Sequence, residues 1–251
     1  MSGGVVLLLH AFPCSGAMWA AQADALSEAG WDVVVPDLPG FGASDLLDAE
    51  PDLEAVAAVL LRELDEQGIG EVAVAGLSLG GYLAMALARL APERLSAVML
   101  CDTKGTADSA PAIENRHRLA QAVLEDPSNC GRILRQSVLS GLLGGTTFAE
   151  RPDVVARVEG WIDAARPESV AWYQRAMAAR PDSLPVLAGL RVPGLVLWGD
   201  EDAISPEPEQ RAMLDALAHG RPAIIRSSGH LAAVECPDAV SDALIGFLSG
   251  R

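Results

Sequence analysis

Several things are scarce in this sequence. Its 251 residues include four cysteines, Cys14, Cys101, Cys130 and Cys236, far apart and with no C-x-x-C pair. That spacing argues against a disulfide framework or a bound metal and fits a reducing cytoplasm. No apolar run approaches the roughly 20 residues of a membrane-spanning helix. The apolar stretch in MSGGVVLLLHAFP has no basic residue before it and is short for a signal peptide, so it reads as a buried strand. Positive charge is thin: eighteen Lys and Arg stand against thirty-four Asp and Glu, a net charge of −16. Such a balance argues against nucleic acid as a partner. There is one lysine, Lys104, and only four histidines. No internal repeat or low-complexity linker is present.

Half of the residues are apolar, enough for the core of one large α/β domain. Short apolar, partly β-branched runs at 5–9, 31–35, 71–75, 95–101, 194–198 and 223–226 read as strands. Helical periodicity separates most of them, at 17–29, 52–67, 79–91, 209–217 and 237–248. Strands alternating with helices imply a parallel sheet covered on both faces. Between residues 104 and 190 the alternation stops. Helical patterns at 113–125, 130–142, 151–165 and 167–179 follow one another with no strand between them. From Lys104 to Arg191 eleven basic residues balance ten acidic ones, so nearly all the net negative charge lies elsewhere. The expected organisation is a core made of residues 1–103 and 191–251, with residues 104–190 inserted as a helical cap over the carboxyl ends of the strands.

The most informative stretch is EVAVAGLSLGGYLAMALARL, residues 71–90. A buried strand runs into Gly76-Leu77-Ser78-Leu79-Gly80 and then directly into a helix. That context turns a G-x-S-x-G pattern into a nucleophile elbow, in which a tight turn forces the serine out at the top of the sheet. The helix beginning at Leu79 aims free N–H groups at the space beside Ser78. A serine hydroxyl is a poor nucleophile and needs a base and a group to orient it. Among the histidines, His230 follows the last strand behind Gly229 and is the candidate base. His10 is better placed to hold its own loop, His117 lies in the cap, and His219 caps a helix end. The orienting acid is expected between Ser78 and His230 in chain order. The loop Gly199-Asp200-Glu201-Asp202 offers Asp202 first and Asp200 second. Asp102 is better suited to closing its strand and holding the start of the cap. For the oxyanion hole the N–H of Leu79 is one candidate donor and that of Phe12, in the loop after the first strand, the other. The ring of Phe12 is then expected in the wall of an acyl pocket.

Taken together, His10-Ala11-Phe12-Pro13, Asp37-x-Pro39-Gly40-x-Gly42-x-Ser44, the Gly76–Gly81 elbow and Gly199-x-x-Asp202 with Gly229-His230 resemble the α/β-hydrolase superfamily over nearly the whole chain. The cap and the run Gly76-Leu77-Ser78-Leu79-Gly80-Gly81 most resemble its small bacterial branch of 3-oxoadipate enol-lactonases, carboxylesterases and cofactor-free haloperoxidase-like perhydrolases. The resemblance implies Ser78 as nucleophile, His230 as base and Asp202 as acid, with no cofactor and no metal. A serine at 78 sets the chain apart from the dehalogenase and epoxide hydrolase branches, which carry aspartate there. Many members have glycine where Ala11 stands, and many begin with an antiparallel hairpin for which Met1–Gly4 leave no room. A sheet of about six strands, mostly parallel, is therefore expected. The expected substrate is a small carboxylic ester or lactone, with no membrane partner. Perhydrolysis or carbon–carbon bond hydrolysis by the same residues, or ligand binding without turnover, are the alternatives. Trp161, Trp172, Tyr173 and Met177 are candidates for an apolar pocket, though their helical spacing suits core packing. Arg132, Arg135, Arg175 and Arg180 are candidates for holding a substrate carboxylate.

Overall fold

The computed structural model describes residues 4–250. In chain order the elements begin with β1 (Val5–Leu9), α1 (Ala20–Glu28), β2 (Asp32–Val34), α2 (Leu53–Glu66), β3 (Val72–Leu77), α3 (Leu79–Leu90) and β4 (Leu95–Cys101). Seven helices follow: α4 (Ala110–Glu125), α5 (Cys130–Leu134), α6 (Ser140–Leu142), α7 (Gly145–Glu150), α8 (Pro152–Ala164), α9 (Pro167–Ala179) and α10 (Leu184–Gly189). The chain then returns to β5 (Gly194–Gly199), α11 (Glu207–Ala216), β6 (Gly220–Ile225), α12 (Ala232–Glu235) and α13 (Pro237–Ser249).

Among the described residues the six strands form one sheet in the order β2-β1-β3-β4-β5-β6, every pair parallel. This is the expected fold class. Residues 1–3, on which the expectation of a missing hairpin falls, lie outside the described residues. The chain starts at β1, steps out to β2, and returns on the other side at β3. The strand order therefore reverses between β1 and β3, and open α/β sheets hold ligands in the crevice at such a point. The reversal also sends helices to opposite faces: α1 packs with α13, and α2 with α3.

Burial follows from the strand sequences. Val6 to Leu9 and all of β3 are buried, as a strand covered on both faces requires. α2 shows how a helix is framed here. Asp52 caps it, its carboxylate accepting the Glu54 N–H at 2.9 Å, and Gly68 past its end takes the left-handed conformation. Its apolar stripe, Leu53, Val56, Leu60 and Leu64, faces the core. Each fully buried leucine contributes about 1.5–3 kcal/mol.

The differences from the expected elements have local causes. β3 runs two residues further than expected, because Gly76 stays in the ladder opposite Leu9 and Leu100. β6 starts at Gly220, three residues early. The expected helix 130–142 is broken by a π-helical turn at Arg135–Leu139. Two short helices, α7 and α10, form outside the expected helical patterns. α4 and α9 pack along one another and, with their neighbours, face the carboxyl edge of the sheet across a cavity. All four cysteines are free, and no helix among the described residues is long and apolar enough to cross a membrane.

Candidate active site

β3 ends at Leu77 and α3 begins at Leu79, so Ser78 alone makes the turn. It does so at φ 54° and ψ −109°, a conformation that non-glycine residues rarely adopt. The surrounding structure holds it there. The Ser78 N–H donates to the Cys101 carbonyl at 2.9 Å, and its carbonyl accepts from the Thr103 hydroxyl at 2.9 Å and from the Tyr82 N–H at 3.1 Å. The flanking glycines are required by close approach. A Cβ on Gly76 would stand 2.1 Å from the Gly80 carbonyl oxygen, and one on Gly80 would stand 2.0 Å from that of Leu9.

The Ser78 hydroxyl meets His230, with Oγ to Nε2 at 2.8 Å. On the other side of the ring, Nδ1 lies 2.9 Å from Asp202 Oδ2. The three side chains come from the ends of β3, β5 and β6 and form one line. Asp202 is itself pinned: Oδ1 accepts the N–H groups of Ile204 and Ser205 at 2.8 and 3.1 Å, and Oδ2 accepts the Ser205 hydroxyl at 2.5 Å. Burial pushes its carboxyl up, but the imidazole and these hydrogen bonds outweigh that and hold it at about 2. With Asp202 ionised, Nδ1 carries a proton and donates, which leaves Nε2 free to accept from the serine.

The other acids are engaged elsewhere. Asp200 pairs with Arg226 at 3.3 Å on the surface. Asp102 is fully buried, and its two hydrogen bonds accept the N–H groups of Gly199 at 2.8 Å and Ala232 at 3.1 Å. It thus joins the end of β4 to the acid-bearing loop and to the helix after His230, rather than to the start of the helical segment as expected. Burial, then the nearby Asp202 charge, push its carboxyl well above the usual range. His10 does hold its loop. Its Nδ1 donates to the Ala11 carbonyl at 2.9 Å, and its Nε2 accepts the Leu38 N–H at 3.0 Å. His117 and His219 are exposed.

Sequence reasoning did not single out two groups that position this site, Ser205 and Glu235. Glu235 is buried and accepts the N–H groups on both sides of His230, Gly229 at 2.9 Å and Leu231 at 3.1 Å. Its other oxygen accepts the Gly144 N–H at 2.8 Å and the Thr147 hydroxyl at 2.6 Å. One carboxylate therefore fastens the histidine loop to the helical segment. The only available signal was a glutamate in an apolar context, Ala232-Ala233-Val234-Glu235.

Above Ser78 lies a cavity of about 560 Å³, bordered by Phe12, Ser78 and His230 below and by α4, α9 and their neighbours above. Phe12, after β1, and Leu79, after β3, flank the reversal point of the strand order. As the first residue of α3, Leu79 has an N–H with no carbonyl to bond inside its own helix. Of the four residues suggested for an apolar pocket, only Met177 borders the cavity; Trp172 and Tyr173 are core residues, and Trp161 packs elsewhere. None of the four suggested arginines borders it either. Arg132, Arg135 and Arg175 are exposed, and Arg180 is buried against Asp108. The basic side chains on its wall are Lys104, Arg116 and Arg118.

A family model described as the alpha/beta hydrolase fold matches residues 4–237. The structure of a thermophilic esterase from Thermogutta terrifontis, with malate bound, superposes with a TM-score of 0.94 at 38% identity, covering 99% of this chain and 90% of that one. The enol-lactonase from Burkholderia xenovorans LB400 superposes at 0.87 with 25% identity, covering 98% and 91%. A 2-hydroxy-6-oxononadienedioate/2-hydroxy-6-oxononatrienedioate hydrolase from Burkholderia vietnamiensis is 30% identical over 215 residues, 80% of this chain and 72% of the relative.

Proposed function

The chain belongs to the α/β-hydrolase fold family, and from that premise we propose that it is a serine hydrolase cleaving a small carboxylic ester or lactone through an acyl-enzyme intermediate. The observation that carries this reading is the unbroken line from Ser78 through His230 to Asp202, at 2.8 and 2.9 Å. Ser78 Oγ attacks the carbonyl carbon while His230 Nε2 takes its proton. Asp202 accepts the Nδ1–H and stabilises the imidazolium so formed. The N–H groups of Phe12 and Leu79 hold the oxyanion. As the tetrahedral intermediate collapses, His230 returns the proton to the leaving oxygen. A water then enters, and His230 deprotonates it as it attacks the acyl carbon. The bond to Ser78 Oγ breaks as His230 returns the proton to that oxygen, releasing the acid and restoring Ser78. No step calls for a metal or an organic cofactor.

In this reading residues 1–103 and 191–251 are the catalytic core and residues 104–190 a cap that roofs the cavity. The four free cysteines suit a cytoplasmic enzyme. The esterase and enol-lactonase likenesses support the ester or lactone class. The likeness to the dienedioate hydrolase favours carbon–carbon bond hydrolysis as a second reading, in which the same base and oxyanion donors act on a ketone carbonyl.

A fluorophosphonate probe tests the first reading without a guess about substrate, because it reacts with activated serines. One adduct is expected, on Ser78, and none on Ser78→Ala, whose hydrolysis of phenyl esters falls by roughly 10⁴-fold or more. A folded wild type that takes no adduct and cleaves no ester would overturn it.

A further inference from the structure

The cavity wall carries more positive charge than its own ion pairs use. Asp108, whose side chain is almost wholly buried, sits among three cations. Arg180 takes it in a two-pronged grip, Nη1 to Oδ2 at 2.8 Å and Nη2 to Oδ1 at 2.9 Å. The same guanidinium donates to the carbonyls of Met177 and Thr106 and lies over the Tyr82 ring at 4.0 Å. Arg180 is thus fixed and by itself neutralises Asp108. Lys104 Nζ, 3.1 Å from Oδ1, and Arg116 Nε, 2.5 Å from Oδ2, are then in excess.

These two are also the cations that face the cavity. Lys104 and Arg116 border it together with Ser78 and His230, and their side chains are only 18% and 20% exposed. Arg118 is at the rim, 66% exposed and paired with Glu114. The one carboxylate on the wall is Asp108. Nearby Glu209 accepts the Thr106 hydroxyl at 2.7 Å and does not border the cavity. Burial tends to raise the Asp108 carboxyl, but Arg180 and Arg116 hold it well below the usual range, so it is ionised and counts against the cations. Three cations against one carboxylate remain, in a chain of net charge −16. Two poorly hydrated cations beside an apolar wall of Leu119, Ile133, Val138 and Leu142 are costly unless an anion completes them.

We propose that Lys104 and Arg116 form an anion subsite that selects substrates carrying a free carboxylate in addition to the bond being cleaved. This deepens the hydrolase reading and rests on it. The substrate class is then a half-ester of a dicarboxylic acid or a lactone acid, its apolar chain against the Leu119 and Val138 side of the wall.

The test compares matched phenyl esters, phenyl hydrogen glutarate against phenyl valerate, which differ in a terminal carboxylate for a methyl. A third ester, 3-carboxyphenyl valerate, puts the carboxylate on the leaving group. Wild type is expected to prefer one of the acidic esters over phenyl valerate by at least tenfold in kcat/KM. Lys104→Met and Arg116→Met are each expected to lower that ratio at least tenfold; Arg180 still pairs Asp108 in both, so both should fold. Should either fail to fold, salt on the wild type serves instead: added sodium chloride should raise KM for the acidic ester and not for phenyl valerate. Binding of the acidic ester to Ser78→Ala by calorimetry, weakened at least tenfold by Lys104→Met, reads the subsite without turnover. Binding that depends on Lys104 with no turnover in wild type would keep the subsite and sink the hydrolase reading. Ratios near one for both acidic esters, unmoved by either variant, would sink the subsite.

Discussion

Lowering the pH should weaken this fold through His10. The ring is fully buried and neutral, with Nδ1 donating to Ala11 and Nε2 accepting from Leu38. A second proton on Nε2 would face the Leu38 N–H. Burial lowers its pKa to about 4, against the pull of the Ala11 carbonyl and of Asp37. The unfolded chain titrates at about 6.5. Between these values the unfolded state binds the extra proton, so stability is complete above about pH 6.5 and is lost as pH falls towards 4. For one such site the loss between pH 7 and pH 5 is about 2 kcal/mol. Urea unfolding at both pH values, on wild type and His10→Gln, isolates this contribution, because other titrating groups are common to both proteins. The wild type should lose about 2 kcal/mol more than the variant. Equal losses would refute the reasoning, as would an NMR titration of the wild-type His10 ring with a midpoint near 6.5.

Other outcomes follow from the same geometry. Asp202→Asn should lower kcat by roughly 10³–10⁴-fold, because the imidazole loses the carboxylate that orients it. Asp200→Asn should stay within about twofold, since Asp200 holds only the exposed Arg226; steady-state kinetics on both variants separates the two acids. Gly80→Ala should not yield a folded protein, or should lose more than about 3 kcal/mol on urea unfolding. Its new Cβ would stand 2.0 Å from the Leu9 carbonyl oxygen, and neither β1 nor α3 can move without opening the core.

The elbow was readable because its constraint is local. A strand, one residue and a helix leave no room for a Cβ at Gly76 or Gly80, so the pattern and the geometry are one statement. Asp202 and His230 were readable from chain order and from the strands before them. β6 was misjudged because Gly220, Arg221 and Pro222 look like a turn. It is an edge strand paired only with β5, and an edge tolerates a proline, whose missing N–H would break the ladder of a central strand. The break at Arg135–Leu139 leaves no mark in periodicity, since a π-helical turn shifts the register by a single residue. α7 begins at Gly145, among residues that stop most helices. It is held by tertiary partners, with Glu201 accepting the Thr146 N–H and Glu235 accepting the Thr147 hydroxyl. Arg116 escaped notice because a basic residue on a helix face is usually solvated, and only the packing of α4 against α9 turns this face inward. Lys104 lies in the loop between β4 and α4, where no periodicity marks which side chains turn inward.

The acidic excess has a structural use at the carboxyl edge of the sheet, where loops meet with few strand partners for their N–H groups. Asp37 accepts from Gly16 and Ala43, Asp102 from Gly199 and Ala232, Asp202 from Ile204 and Ser205. Glu235 does most, with two donors on each oxygen, and separate substitutions can divide its work. In Glu235→Gln the amide nitrogen fits best towards Gly144 and Thr147, where the Thr147 hydroxyl can turn to accept. The carbonyl oxygen then keeps Gly229 and Leu231. One N–H, that of Gly144, is left unpaired at a cost of about 1–3 kcal/mol, and kcat should change little. Glu235→Leu frees Gly229 and Leu231 as well, so His230 loses its support on both sides. Measured well below its melting temperature, that variant should lose kcat by roughly 10- to 100-fold, the scale of a displacement near 1 Å. A folded Glu235→Leu with wild-type kcat would mean that β6 and Asp202 alone set the histidine, and that Glu235 serves only to seat the helical segment.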